Sequence, residues 1–262
     1  MGLNKVFDWS VYVLSLYAIG IFALLGWLLS LARNNVTHVD SMWSLFFALA
    51  TYTTAILMTE LSPRALLIIT LVTIWALRLC VYLTWRNWGS HEDHRYVEIR
   101  QNNQPYFWLK SIYIVFGLQA VLAGIISISL FGGVSSSSEI NWLDYIGAAT
   151  FIFGFIWETV ADWQLSEFKA KVNNKGKVLA TGLWRYSRHP NYFGECCVWW
   201  GFYLFALAGG TWWAIISPIL MTLLLLKVSG VSLLESTIVD RRPAYADYIK
   251  KTNAFIPNFL KS

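Results

Sequence analysis

The chain has 262 residues, of which 56% are hydrophobic, 17% aromatic and only 13% charged, with a formal net charge of +5. That is too apolar for a soluble domain, whose charged fraction is nearer about a quarter, so an all-α integral membrane protein is expected. The basic balance does not signal nucleic acid, because the lysines and arginines fall between long apolar runs instead of on one soluble face. In chain order, apolar windows long enough to cross roughly 30 Å of hydrocarbon run from Trp9 to Leu31, Val39 to Thr59, Ala65 to Thr84, Trp108 to Phe131, Trp142 to Ala161, Glu195 to Leu207 and Trp212 to Leu234. Seven transmembrane helices are expected, the sixth short, with the polar motif ahead of it partly at membrane level, where either protein covers it or it lines a wet cavity. The first run continues past Leu31 without a small-residue cleavage site and reads as a retained span. Cys80, Cys196 and Cys197 lie inside apolar windows and read as buried, reduced thiols.

The basic residues set an orientation. Sixteen of the twenty lysines and arginines fall on one side of a seven-helix path, while Lys5 and Arg64 fall opposite and Arg78 and Lys227 lie inside windows. The positive-inside rule then puts the N-terminus outside and the C-terminus in the cytoplasm. Three polar segments converge on that side: the loop after the third helix, the loop after the fifth, and the tail.

The densest chemistry is Gly182 to Glu195, GLWRYSRHPNYFGE, directly before an apolar run. A helix N-terminus carries unpaired N–H groups and partial positive charge, and cations with small polar residues around it make an anion site. Pro190 suits the first turn of a helix. Arg188 and His189 would supply charge and donors to a phosphate, and Asn191 would bond an amide or hydroxyl. Trp184, Tyr186 and Tyr192 offer stacking faces, and Glu195 would orient Arg188 or cap the helix. Glu158 and Asp162, spaced i, i+4 near the end of the fifth helix, project from one face. Carboxylates at that depth need a partner or water, so the face is expected to line a polar cavity that meets ribose hydroxyls or a carboxamide. One or two of Lys169, Lys171, Lys175 and Lys177, in the loop that follows, would reach a 2′-phosphate. The tail returns with Glu235, Asp240, Arg241, Arg242, Tyr245 and Tyr248 in an amphipathic spacing that suggests a helix against the same mouth.

In the N-terminal half the second helix opens with His38, Asp40 and Trp43, and Trp75, Arg78 and Tyr82 share one face of the third. An arginine inside a span is a functional candidate by default. The loop after it reads HEDHRY, with Glu92, Asp93, Arg95 and Tyr96.

With these residues in view, the chain resembles the steroid 5-alpha-reductase family, and in particular its bacterial membrane branch. GLWRYSRHPNYFGE is similar to that family's cofactor motif, and LLESTIVDRRPAYADYIKKTNAFIP to its C-terminal signature; the resemblance runs from about Val36 to Pro257 and is strongest after Asp144. It implies one seven-helix domain in a bacterial inner membrane. Helices one to four, to about residue 131, would take the substrate, and helices five to seven with the tail, from about residue 142, would bind NADPH from the cytoplasmic side. The implied reaction reduces a carbon–carbon double bond conjugated to a ketone, in a 3-oxo-Δ4 steroid or similar lipid enone.

On matching positions the resemblance assigns Asp162, Leu165, Lys169, Asn191 and Glu195 to the cofactor, with Arg188, Tyr192 and Tyr248 as neighbours. Glu158, Trp184, Tyr186, His189, Arg241 and Tyr245 complete the expected cofactor set. Tyr82 and Tyr96 are expected donors to the substrate carbonyl, with Glu92 or Asp40 able to serve if burial keeps one protonated, and with Arg78 beside them. Better characterised steroid reductases carry a glutamine–glutamate pair where this chain has its His38–Asp40 segment, so which enone is reduced stays open. A lipid-like substrate would enter sideways from the bilayer between the first four helices, along Trp43, Phe46, Phe47 and Trp75, and the protein would act as a monomer among membrane lipids.

Two other readings stand beside this one. Isoprenylcysteine carboxyl methyltransferase-like enzymes carry a similar arginine-histidine-proline pattern next to a short helix and use S-adenosylmethionine, which has no phosphates. A lipid transporter or scaffold would fit Arg78 but lacks visible repeated halves. No metal is expected, since four histidines are too few for a di-iron hydroxylase, and no strand followed by GxGxxG marks a soluble dinucleotide fold.

Overall fold

The computed structural model describes residues 8–89, 91–228, 231, 235, 238 and 242–259. Arg241, expected at the cofactor, lies outside the described residues, as do Lys5, Asp240 and Lys261. Among the described residues the regular structure is helical and there is no strand. Four helices are long and apolar enough to cross a membrane, Trp9–Arg33, Pro63–Asn87, Phe107–Ile126 and Trp142–Ala170, and Trp212–Lys227 is a shorter apolar one. This marks a membrane protein. The chain divides into two compact units, Met1–Asn141 with Phe205–Ala214, and Trp142–Leu204 with Ile215–Ser262.

In the first unit α1 (Trp9–Arg33) starts at Asp8, whose carboxylate accepts from Ser10 N at 3.0 Å and caps two otherwise orphaned donors. It stops where Asn34 turns left-handed at φ 48°. α2 (Val39–Leu57) has 19 residues, but hydroxyls interrupt its apolar run. Those hydroxyls hold neighbours together: Ser15 and Thr54 share a hydrogen bond of 3.1 Å, and Ser44 donates to Ala76 O at 2.9 Å. Such polar contacts join helices where lipid supplies no hydrophobic drive. α3 (Pro63–Arg86) begins with proline in its first turn and Ser62 as cap. Arg64, expected on the outer side, is fully buried, and donates to Ser138 Oγ at 2.6 Å and Glu139 O at 2.8 Å.

α4 (His94–Asn102) is a short polar helix capped by Asp93. The expected fourth window is a helix in pieces: α5 (Phe107–Ser111), a π-helical turn (Ile112–Gly117), α6 (Leu118–Ile126) and α7 (Ile128–Val134). The π turn lies within a continuous apolar run, where no polar residue or proline marks the change of winding.

In the second unit α8 (Trp142–Ala170) runs nine residues past the expected end at Ala161, because its last turns are polar but remain helical. Lys169 is therefore on a helix and not in a loop. Short 3₁₀ turns at Val172–Asn174 and Gly182–Arg185 lead to α9 (Pro190–Ala208). α9 is not short: it opens at Pro190, taking the polar turn into the helix, and has 19 residues. α8 and α9 meet backbone to backbone through glycine. A Cβ at Gly154 would lie 2.6 Å from Gly194 O, and one at Gly194 would lie 2.6 Å from Glu158 N. A second glycine crossing one heptad on, Gly201 against Gly147, keeps that approach. The unit continues through α10 (Ile216–Leu223), a π turn (Leu224–Val228) and α11 (Tyr245–Lys251).

Candidate functional site

The close approach of α8 and α9 fixes a buried polar cluster in the second unit. Glu158 and Asp162 are 2% and 4% exposed on one face of α8, as their i, i+4 spacing requires. In the first turn of α9, Asn191 Nδ2 donates to Asp162 Oδ1 at 3.1 Å. The other end of that amide, Oδ1, is buried and has no hydrogen-bond partner. Buried acceptors are nearly always satisfied, and this one is held in place by its own amide group. Leu165 is half-buried and Lys169 exposed further along the face of Asp162, and Glu195 is buried one turn into α9. His189 and Tyr192 stack with ring centroids 5.6 Å apart.

Arg188 does something other than the sequence suggested. Its Nε and Nη2 grip Glu235 at 2.7 Å each, and its Nη1 donates to Thr252 O at 2.5 Å and Ile249 O at 3.3 Å. Four of the five guanidinium N–H groups are thereby committed to the tail, where the carbonyls are the orphaned acceptors at the end of α11. The guanidinium orients on Glu235, not on Glu195. Glu235 also takes His189 Nε2 at 2.9 Å and the Tyr245 hydroxyl at 3.2 Å. Burial alone would raise the Glu235 pKa, but the hydrogen bonds from Arg188 and His189 and the Arg188 charge outweigh it and bring it down to about 2. Burial and the Glu235 charge push the Tyr245 phenol up. Tyr248 donates to Trp184 O, Arg188 N to Asn253 O at 2.9 Å, and Asn258 N to Tyr186 O at 2.9 Å. The tail is thus stitched along the motif, and Tyr245, Tyr248 and Trp184 are buried by that packing. Trp184 is fixed further by its indole N–H to Ala161 O at 3.1 Å, and Tyr186 lies against Phe259. Of the motif cations, Arg185 stays exposed over the Tyr186 ring. Lys171 is turned to Glu167 at 3.0 Å.

The first unit carries a separate cluster. The Tyr96 hydroxyl donates to Asp40 Oδ1 at 2.6 Å, and Arg95 Nη2 holds Asp40 Oδ2 at 2.5 Å. Gln119 Nε2, just beyond the π turn, donates to the Tyr96 oxygen at 3.2 Å. Burial first, then the Asp40 charge, raises the Tyr96 pKa well above the ordinary phenol value, so the group stays protonated. Arg78 and Arg86 lie 5.5 and 6.0 Å from the Tyr82 ring centre, and Arg86 reaches Asp40 at 4.0 Å. Glu92 is bound instead by Arg100 at 2.7 Å and by Val36 N at 3.0 Å. Burial would raise its pKa, yet Arg100 lowers it below the usual carboxylate range. Glu92 is accordingly an ionised strut, and the condition on which it could serve as a donor, a pKa raised by burial, is not met.

Trp43, Phe47 and Trp75 do come together, with centroids 5.0 and 5.9 Å apart. Phe47 and Trp75 are fully buried core residues, so of these three only half-buried Trp43 is open to a ligand.

A family profile described as "Protein of unknown function (DUF1295)" matches residues 26–252. The chain belongs to the DUF1295 family. An uncharacterised protein of Schizosaccharomyces pombe is 28% identical to it over 265 aligned positions, covering 88% of this chain and 75% of the yeast protein. No solved structure matches. The match to DUF1295 takes in both clusters, from Asp40 through Tyr248. Within this DUF1295 chain, reading by residue type missed Gln119, since a lone glutamine in an apolar run has no sequence signal. It also left Glu235 without its role, since the partner lies 47 positions away.

Proposed function

We propose that this protein is an NADPH-dependent reductase of the conjugated double bond of a lipid enone, embedded through seven helices with its C-terminus in the cytoplasm. The observation that supports a bound cofactor most is the Asn191 Oδ1 atom, buried, oriented by Asp162 and without a donor. A carboxamide or ribose hydroxyl would complete it, so the residues present fit a nicotinamide nucleotide. Asn191 and Asp162 would hold that group, with Glu158, Leu165, His189, Tyr192 and Glu195 around it. Arg185 and Lys169 would serve the phosphates, because Arg188 is taken by Glu235. NADPH supplies a hydride for the β-carbon of the enone.

The chain's own part is electrostatic. Tyr96, kept protonated by burial, would turn its one O–H from Asp40 to the substrate oxygen as negative charge grows there. Asp40 and Gln119 fix the phenol from two sides, and Arg95 holds Asp40. The family resemblance and the two hydrogen-bonded pairs, Asn191 with Asp162 and Tyr96 with Asp40, support this reading together.

A second reading draws on one observation. Arg188 is spent on the tail, which removes the strongest phosphate ligand of the motif and suits a phosphate-free cofactor such as S-adenosylmethionine. Activity separates the two. Detergent-purified protein is incubated with NADPH and a panel of 3-oxo-Δ4 steroids and polyprenyl enones, and loss of nicotinamide absorbance is followed. Substrate-dependent oxidation, reduced by about 10²–10⁴-fold in Tyr96→Phe as expected for loss of a positioned proton donor, supports the reductase. No oxidation with any enone, together with methyl transfer from S-adenosylmethionine, replaces it with the second reading.

A further inference from the structure

The face of α8 opposite Asp162 carries a feature that the cofactor reading does not use. Glu158, Asp162, Leu165 and Lys169 lie on one side of the helix by 3.6-residue periodicity, and Trp163, Gln164, Glu167 and Phe168 lie on the other. With Lys171 and Thr181 the second group lines a cleft of about 260 Å³. Gln164 is set by the loop above it: its Oε1 accepts from Leu183 N at 2.9 Å, leaving the NH₂ end as the donor it can offer. Gly182 permits this at φ +61°, where a Cβ would lie 2.6 Å from the Gln164 amide.

Depth and size narrow the occupant. A helix of 29 residues is about 44 Å long at 1.5 Å per residue, against roughly 30 Å of hydrocarbon. About nine residues therefore project into the headgroup layer, and the polar C-terminal turns from Asp162 to Ala170 are the ones suited to it. Trp163 is 61% exposed there, in the position tryptophan favours at a membrane interface. The volume falls below the roughly 300–1,000 Å³ of sites for drug-sized ligands, too small for a dinucleotide and suited to a headgroup. The charged lining is one acid and one base, Glu167 and Lys171, 3.0 Å apart and both about half exposed. An ion pair this exposed contributes little to stability, so a ligand with both charges can exchange it for two pairs of its own.

We propose that the cleft on this face of α8 binds the headgroup of a zwitterionic phospholipid of the phosphoethanolamine type. The phosphate is held by Lys171 and the Gln164 amide. The ammonium is held by Glu167 and the Trp163 ring. A primary ammonium offers the carboxylate N–H donors that a quaternary choline lacks, and an anionic headgroup would face Glu167 without compensation.

The test reads lipid directly and is independent of any cofactor or activity. Protein is reconstituted in nanodiscs of equal phosphatidylethanolamine, phosphatidylcholine and phosphatidylglycerol content, and lipid retained on release is counted by native mass spectrometry. The expected result is one retained phosphatidylethanolamine, preferred about tenfold over the other two, with the preference lost in Glu167→Gln with Lys171→Met. Retention of the three lipids in equal amounts, or the same preference in the double variant, overturns the proposal. Saturation of lipid-free protein by micromolar soluble phosphoethanolamine overturns the assignment to lipid. Circular dichroism of the double variant, unchanged because both side chains are exposed, shows that loss of lipid is not loss of fold.

Discussion

Asn191 is gripped at its nitrogen and open at its oxygen, and that asymmetry makes it the residue whose loss is most informative. Asn191→Ala removes one neutral hydrogen bond to a ligand, worth about 1 kcal/mol, and is expected to weaken NADPH about fivefold. Fluorescence titration of the nicotinamide checks it, and equal affinity in the two proteins would speak against the site. Glu235 belongs to stability instead. Its carboxyl titrates near 4.5 in an ordinary setting and at about 2 here, so the unfolded chain binds the extra proton between those values. Stability from the Arg188 pair is present above about pH 4.5 and is lost as pH falls toward about 2. Glu235→Gln leaves a buried guanidinium without its anion, which should cost about 3 kcal/mol at neutral pH and flatten the acid limb of a melting-temperature profile. A variant that keeps the wild-type acid limb would show that another group titrates there.

Much of the buried polar cluster was legible in residue types, because Asp162, Asn191 and Glu158 are polar groups in an apolar context. What Arg188 does was not legible. Its partners, Glu235 and two tail carbonyls, are set by how the tail docks, and no local spacing encodes that.

Between elements, the α8–α9 crossing positions everything in the second unit. Gly154 and Gly194 meet with no room for a side chain, and the contact of each is backbone, which cannot turn aside. Gly194→Val is therefore expected to separate the helices, break the Asn191–Asp162 bond and abolish ligand binding, in contrast to Gly20→Ala, which meets nothing within 4 Å. Proteolysis of the two purified variants, with a ligand titration beside it, checks this; normal binding by Gly194→Val would deny the crossing its role. Helix positions followed from hydropathy well: α1, α2 and α3 begin or end within a few residues of the apolar windows. The polar extension of α8 and the early start of α9 did not follow, since helices continue past an apolar window wherever backbone bonds and neighbours allow. The π turn that sets the register of Gln119 against Tyr96 left no mark in composition.

At the scale of the molecule, four helices among the described residues have the length and apolarity of spans, and the seven-span path with sixteen of twenty cations on one side is a proposal that labelling can decide. Cysteine introduced at Lys175 should react with a membrane-impermeant maleimide only after cells are opened, and cysteine at Ser137 should react in intact cells. The reverse pattern would invert the molecule. The central claim, however, is that the second unit holds a phosphorylated nicotinamide, and calorimetric titration of purified protein with NADPH and, separately, with S-adenosylmethionine tests it most directly. Saturable binding of NADPH at one site, weakened about fivefold by Asn191→Ala, with no heat from S-adenosylmethionine, is the predicted result; saturation by S-adenosylmethionine with none by NADPH would contradict it.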